Sequence, residues 1–390
     1  MTIKMTAKEV RNFHVSYHMI NTDNELLGFD GLSKVFDRIK SIQYDPLNVV
    51  GRNSDLVLQS RITNYSSSIL DKALYTDRTL IDAWDKMMGI YQTKDYPYFS
   101  RIRTVMGTNT LNSLKYRLSI EAVDYIEDVL EYIVKNGPTF SSDINFGKTK
   151  KHVWGHTKPS SGTLDYLFHV GKLGVSERRN TQKKYDLLEN LIGEICNIDD
   201  PNPLDEDFIR WYILRRVATQ GFVSNRSGVM WSGPHISDKK IRTKYLNILV
   251  NENMLSKIEV EGYKEDFYVL TEFLNLKRNI EKRVSFIAPL DNLIWDRELV
   301  KKIYNFDYKW EVYTPIVKRK YGYYVLPILY GCDFIGRIQF KQQRNNDVLE
   351  VENIWFEDGF RQTNVFNTAF NKGLEKFAKY LGAKTFISPL

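Results

Sequence analysis

One arrangement recurs along this chain: an amphipathic helix, a break, another helix, then two β-prone runs around a polar turn. In the clearest copy, Val123, Ile126, Val129, Leu130 and Ile133 keep helical spacing over about Ile120 to Lys135. Gly137-Pro138 ends that helix, because proline lacks the N–H and its ring crowds the preceding turn. Ser141-Ser142-Asp143 predicts the cap of a short second helix. Leu164, Leu167, Phe168 and Leu173 line one side of a third helix over about Ser161 to Lys172. Gly174 to Arg179 and Lys183 to Leu187 then read as a hairpin with a basic tip. Three helices followed by a hairpin is the layout of a winged helix.

A second copy follows. Asp207 to Thr219 and Lys239 to Asn253 are its helices, and Ser256 to Val260 and Asp266 to Leu270 flank a turn at Glu261-Gly262-Tyr263. Leu173 and Tyr185 of the first copy correspond to Leu255 and Tyr268 of the second, nearly the same distance apart. Near the N-terminus, Leu32, Val35, Phe36, Ile39 and Ile42 mark a helix that could open a third, altered copy. The last hundred residues differ. Trp310 to Pro315, Tyr321 to Leu329, Phe334 to Gln339 and Val348 to Trp355 read as strands, closed by a helix over about Thr363 to Leu381. The fold class is therefore expected to be α+β: tandem winged helices with a C-terminal antiparallel β module closed by a helix. The expected modules are 1–117, 118–200, 201–282 and 283–390. Winged helices also mediate protein contacts, so the layout alone leaves the partner open.

Composition narrows the partner. The 390 residues are 43% hydrophobic and 26% charged, ordinary for a globular protein, and the net charge of +7 leans toward a polyanion. Two distant cysteines, Cys196 and Cys332, argue against a disulfide scaffold and for a reducing compartment. The N-terminus lacks the apolar core of a secretion signal, and the longest apolar run, Tyr323 to Tyr330, is too short to span a bilayer. A soluble cytoplasmic, nucleoid-associated monomer without membrane contact is expected. Arg178, Arg179, Lys183 and Lys184 cluster at one wing, Lys239, Lys240, Arg242 and Lys244 at a helix start, and Lys318-Arg319-Lys320 before a tyrosine cluster. Arg101 and Arg103 form a smaller group. Such cations contact phosphates without reading bases, although any one cluster also fits a solvated face.

Chemistry is harder to place. His14/His18 and His152/His156 are each four apart, but neither pair sits in a His-Glu-x-x-His pattern and no cysteine pair accompanies them. Core or surface histidines are the better reading, and no metal or other cofactor is expected. There is no phosphate-cradling Gly-x-x-x-x-Gly-Lys loop and no Gly-x-Ser-x-Gly elbow. Gln43-Tyr44-Asp45 is the exception. In an extended segment, residues two apart share a face, so an amide and a carboxylate would aim at one point and could hold one water. An anionic carboxylate beside an oriented water suits hydrolysis of an N-glycosidic bond, whose transition state is oxocarbenium-like. The competing reading is a simple turn, which Asp45-Pro46 readily makes.

At these residues the chain resembles the winged-helix DNA glycosylases of the AlkZ and YcaQ (AlkX) type. The resemblance is carried by Phe286 to Arg297, Phe306-Asp307-Tyr308, Glu311-Val312-Tyr313, Lys318 to Pro327 and Ile335-Gly336-Arg337. Leu164 to Phe168, Gly171 to Leu173, Tyr185 to Leu187, Val49-Val50 with Arg52, and Ser60-Arg61 add to it. It implies three tandem winged helices and a β module shaped around duplex DNA bearing alkylated bases. It also implies removal of bulky N7-alkylguanines and, in some members, unhooking of interstrand crosslinks. Gln43-Tyr44-Asp45 is similar to the Gln-x-Asp motif of the YcaQ branch, which makes Gln43 and Asp45 the expected catalytic pair of a monofunctional glycosylase. Arg52, Lys86, Arg178, Arg179, Lys183, Lys184 and Arg337 are the expected DNA-binding residues. Tyr44 replaces a usual aliphatic residue, Lys86 a histidine and Gln339 an acidic residue, which leaves substrate range open. A non-catalytic winged-helix regulator is the alternative.

Overall fold

The computed structural model describes residues 3–23, 25–117, 119–146, 158–179, 181–276, 279–341 and 347–389. The chain divides into two compact units, one of Met1–Leu70 with Ile209–Leu390 and one of Asp71–Phe208. His152 and His156 lie outside the described residues, as does much of the short helix expected after Asp143.

In the first unit, helix Ala7–Tyr17 opens with a reciprocal cap: the Glu9 N–H donates to the Thr6 hydroxyl and the Thr6 N–H donates to the Glu9 carboxylate. Its inner face joins Phe222, Ile258, Phe267, Leu293, Val300 and Phe334 in one core. Helix Gly28–Ile39 buries Leu32, Val35, Phe36 and Ile39, as the spacing predicts. Ile42 is not part of it. The chain turns at Lys40, at a φ of 63°, and Ile42 is buried in the extended segment Ser41–Gln43.

Both copies of the repeat show the same order: helix, short strand, helix, hairpin. In the second unit these are Ile126–Asn136, Thr139–Phe140, Pro159–His169, Leu173–Arg179 and Gln182–Leu187. In the first unit they are Asp205–Gln220 (its first turn within the second), Val223–Ser224, Lys239–Asn251, Leu255–Val260 and Asp266–Leu270. The short strand pairs antiparallel with the second hairpin strand each time, Thr139 opposite Tyr185 and Val223 opposite Tyr268. The two leucines start the first hairpin strand in each copy, Leu173 opposite Leu187 and Leu255 opposite Leu270. The first-unit sheet gains a parallel edge strand, Ile3–Met5, alongside Leu255–Val260.

The C-terminal module departs from expectation in two ways. Its strands Val284–Phe286, Val325–Tyr330, Asp333–Lys341 and Val348–Phe356 are antiparallel, but Thr385–Ile387 closes the sheet parallel to Val348–Glu350. Trp310 to Pro315 is not a strand. The buried Glu311 carboxylate accepts backbone N–H groups from Lys320 and Tyr321, at 3.0 and 2.8 Å, and closes the segment into a loop. These hydrogen bonds replace the ladder a strand would make. Helix Asn364–Tyr380 covers the sheet with Phe366, Phe370, Leu374 and Phe377. Among the described residues, no helix is long and apolar enough to cross a membrane. None of them form a cluster of three or more metal-ligating side chains.

Candidate active site

Gln43 is clamped by its backbone. The Asn53 side-chain amide donates to the Gln43 carbonyl at 2.9 Å, while its own oxygen accepts the Leu290 N–H at 3.1 Å. Asn292 donates to the Ser41 carbonyl at 2.8 Å. Two buried amides therefore fix both ends of Ser41–Gln43, and both are tied to Phe286–Arg297, the stretch that carries the strongest resemblance. Beneath them Arg61 and Asp291 form a bidentate ion pair, 2.8 Å on each arm, with both side chains 0% exposed. Asp291 also accepts the Leu293 N–H, which shapes the backbone around Asn292. Gln59 completes the seam by donating to the Phe286 carbonyl.

With its backbone held, Gln43 keeps its side-chain amide free of hydrogen bonds among the described residues. Asp45 follows in an Asx turn, one carboxylate oxygen accepting the Leu47 N–H at 2.9 Å. The turn and the catalytic reading are thus compatible. The other oxygen takes no hydrogen bond or ion pair among the described residues. Burial pushes the Asp45 carboxyl above its ordinary value, opposed by the Leu47 N–H. Tyr324, itself buried, senses that charge: burial first, then Tyr308 and Asp45, raise its hydroxyl so that it stays a phenol. A half-buried carboxylate with an open oxygen and no cation beside it is suited to answer positive charge that develops on a reacting sugar.

The chain then turns sharply. The Gly51 N–H donates to the Asn48 side chain, and Gly51 sits at a φ of 125° where a Cβ would overlap the Tyr380 hydroxyl. Arg52 follows and donates to both carboxylate oxygens of Asp55, one of which also accepts from Tyr65 at 2.6 Å. Nearby, the Glu311-closed loop presents Tyr313, Ile316 and Val317 to solvent, the last 92% exposed, beside Lys318-Arg319-Lys320. Trp310 at its base packs edge-on against Tyr324. Arg337 does not reach the surface. It pairs with Glu357, donates to the Asp307 carbonyl and lies over Phe306 and Tyr321.

In the second unit, the cations of the hairpin Leu173–Arg179 and Gln182–Leu187 divide into two kinds. Arg178 is 5% exposed and commits its guanidinium to Asp82, which also accepts from Tyr75. Arg179 is exposed and lies against Phe140. Lys183 and Lys184 pair loosely with Asp165 and Glu177, at 3.7 and 3.5 Å. Lys86 sits at the tip of the hairpin formed by Leu80–Trp84 and Met88–Gln92 and is 7% exposed. Of the other clusters, Arg242 is a core residue that donates to Asn225 and stacks on Trp231, and Arg101 and Arg103 are tied to Asp200 and Tyr96. His14 and His18 are fully buried and each donates its Nε2–H to the Gln220 carbonyl.

The sequence matches the family described as DNA glycosylase AlkZ-like over residues 36–380. The chain belongs to the AlkZ-like DNA glycosylases. Among solved structures it is similar to the DNA glycosylase AlkZ of Streptomyces sahachiroi, with a TM-score of 0.65 at 14% identity over 98% of this chain and 99% of that one. At that identity the likeness speaks for the mixed α+β fold. Family membership makes this a DNA repair glycosylase and disfavours a non-catalytic regulator. Asn53, Asn292, Tyr324 and the Arg61–Asp291 pair hold or border the candidate site, and sequence reasoning assigned none of them a role there. Their roles are tertiary, and no local spacing marks them.

Proposed function

We propose that this glycosylase hydrolyses the N-glycosidic bond of N7-alkylguanine in duplex DNA as a monofunctional enzyme of the Gln-x-Asp kind. The observation that carries the reading is the pair of uncommitted groups, the Gln43 amide and the second oxygen of Asp45, on a backbone clamped by Asn53 and Asn292. Alkylation at N7 makes the base cationic and a good leaving group, so little acid catalysis is needed at the base. Asp45 stabilises the sugar cation and polarises water, and Gln43 orients that water. Water adds to the anomeric carbon as the carbon–nitrogen bond breaks, and its proton leaves to Asp45 or solvent. Crosslinks between two N7-alkylguanines present the same bond and the same leaving group.

Arg52, Arg179, Lys183 and Lys184 are proposed to hold phosphates. Arg178, Lys86 and Arg337 would shape the elements that carry those contacts, since each is buried. The repeated helix–strand–helix–hairpin order supports winged helices in modules 118–200 and 201–282, beside an N-terminal module 1–117 and a C-terminal module 283–390, acting as a monomer. The test is a duplex with one N7-methylguanine, incubated with protein and then treated with alkali. Wild type and Tyr44→Phe should yield strand breaks, and Asp45→Asn should lose more than about 100-fold in rate. Break formation by Asp45→Asn within threefold of wild type would overturn the reading.

A further inference from the structure

Helix Asn364–Tyr380 has a second face that the core does not use. Val365, Thr368, Ala369, Lys372, Gly373 and Lys376 recur along it at helical spacing and form one wall of a cleft of about 870 Å³. Gly373 lets the helix press close to the Val284 backbone, where a Cβ would stand 3.0 Å from the carbonyl. The facing wall brings Lys282, Arg283 and the polar Thr63, Asn64 and Ser285. The Thr22 hydroxyl, buried in that wall, has no hydrogen-bond partner among the described residues. Arg283 pairs with Glu281, and Glu25 is the other acid present. Lys282, Lys372 and Lys376 make no ion pair among the described residues. The Lys376 ammonium is pushed down to about 8, by desolvation against the wall and then by the Arg283 guanidinium. Among the described residues, these three lysines therefore have no counter-ion of their own, whereas Arg283 in the same cleft is paired.

The cleft leads somewhere. Lys379, the next lysine on this face, donates to Asn64, and Tyr380 packs on Gly51 in the turn after Asp45. Lys372, Lys376 and Lys379 stand at i, i+4 and i+7, so they span about 10 Å of helix axis. That is about three nucleotide rises along one DNA strand. We infer that this face of the C-terminal helix, with Lys372 and Lys376 in the cleft and Lys379 at its catalytic end, is a track for the phosphodiester backbone flanking the lesion. The inference rests on DNA being the substrate. A string of ammonium groups on flexible stems suits phosphates at any sequence, as a repair enzyme requires.

The test is a salt titration of binding to an undamaged duplex, read by fluorescence anisotropy, with the full chain. Lys372→Ala/Lys376→Ala should lower the slope of log K against log salt by about two and weaken binding about tenfold or more at low salt. Lys372→Arg/Lys376→Arg should keep the slope, and both variants should melt near wild type. An unchanged slope in the folded alanine variant overturns the track, as does an equal loss in the arginine variant. Failure of wild type to release N7-methylguanine is a separate outcome. It would sink the glycosylase chemistry while leaving the slope readable.

Discussion

Asp45 illustrates how the proposed role of a single residue would set reactivity against stability. Its carboxyl is raised by burial, so the folded chain holds a charge it disfavours at neutral pH. A raised carboxyl gives stability when protonated and loses it as pH rises through the folded value. Asp45→Asn should therefore melt slightly higher than wild type at pH 7, and the gain should vanish in acid, where both carry a neutral group. The same shift moves the acid limb of base release above the pH at which a free aspartate ionises. A pH–rate profile checks it. The buried histidines act with the opposite sign. Burial lowers His14 from 6.5 to about 4, against the Gln220 carbonyl, so folding holds it neutral. Below pH 6.5 the unfolded chain takes up a proton that the fold refuses. Stability should fall from there until about pH 4, by about 3 kcal/mol for this group. Urea denaturation at pH 7 and 5 should show the loss, and His14→Gln should flatten it. The sequence left the pair as core or surface histidines, and burial decides for core. The shared Gln220 carbonyl, two hundred residues away, was not readable.

At the scale of elements, legibility depended on whether the signal was local. Helix Gly28–Ile39 followed from four apolar residues at helical spacing. The Trp310–Pro315 segment has the aromatic and β-branched residues of a strand, yet it became a loop because a buried carboxylate gathers backbone N–H groups from residues nine and ten positions later. The Ser41–Gln43 segment is likewise held by amides from elsewhere. Asn53→Ala frees the Gln43 carbonyl and leaves the Leu290 N–H unpaired. Two such losses in the interior cost about 1–3 kcal/mol each. Displacement of Gln43 by about 1 Å should slow base release about 100-fold, because the reacting water is no longer aligned. Single-turnover rates and melting curves, taken together, separate misplacement from unfolding.

For the molecule as a whole, the repeat was the legible part. Its leucines and tyrosines landed at equivalent strand positions in both copies, since each sits where a hairpin strand meets the core. That one compact unit draws on both ends of the sequence was not legible. The first unit is assembled from both ends of the sequence, and contacts that join distant segments leave no periodic trace. Its central fastening is Arg61 with Asp291. Asp291→Ala strands a guanidinium with no access to water and should cost about 3–5 kcal/mol, measured by chemical denaturation. A double Arg61→Met/Asp291→Leu exchange should recover most of that.

The contact of Tyr380 with Gly51 has a consequence for biosynthesis. The turn that follows Asp45 leaves the ribosome long before the ring that packs on it, because Gly51 and Tyr380 are far apart in the sequence. A nascent chain halted before that ring emerges should bind nucleic acid yet release no bases. Repair competence would switch on only once the chain has been made through Tyr380.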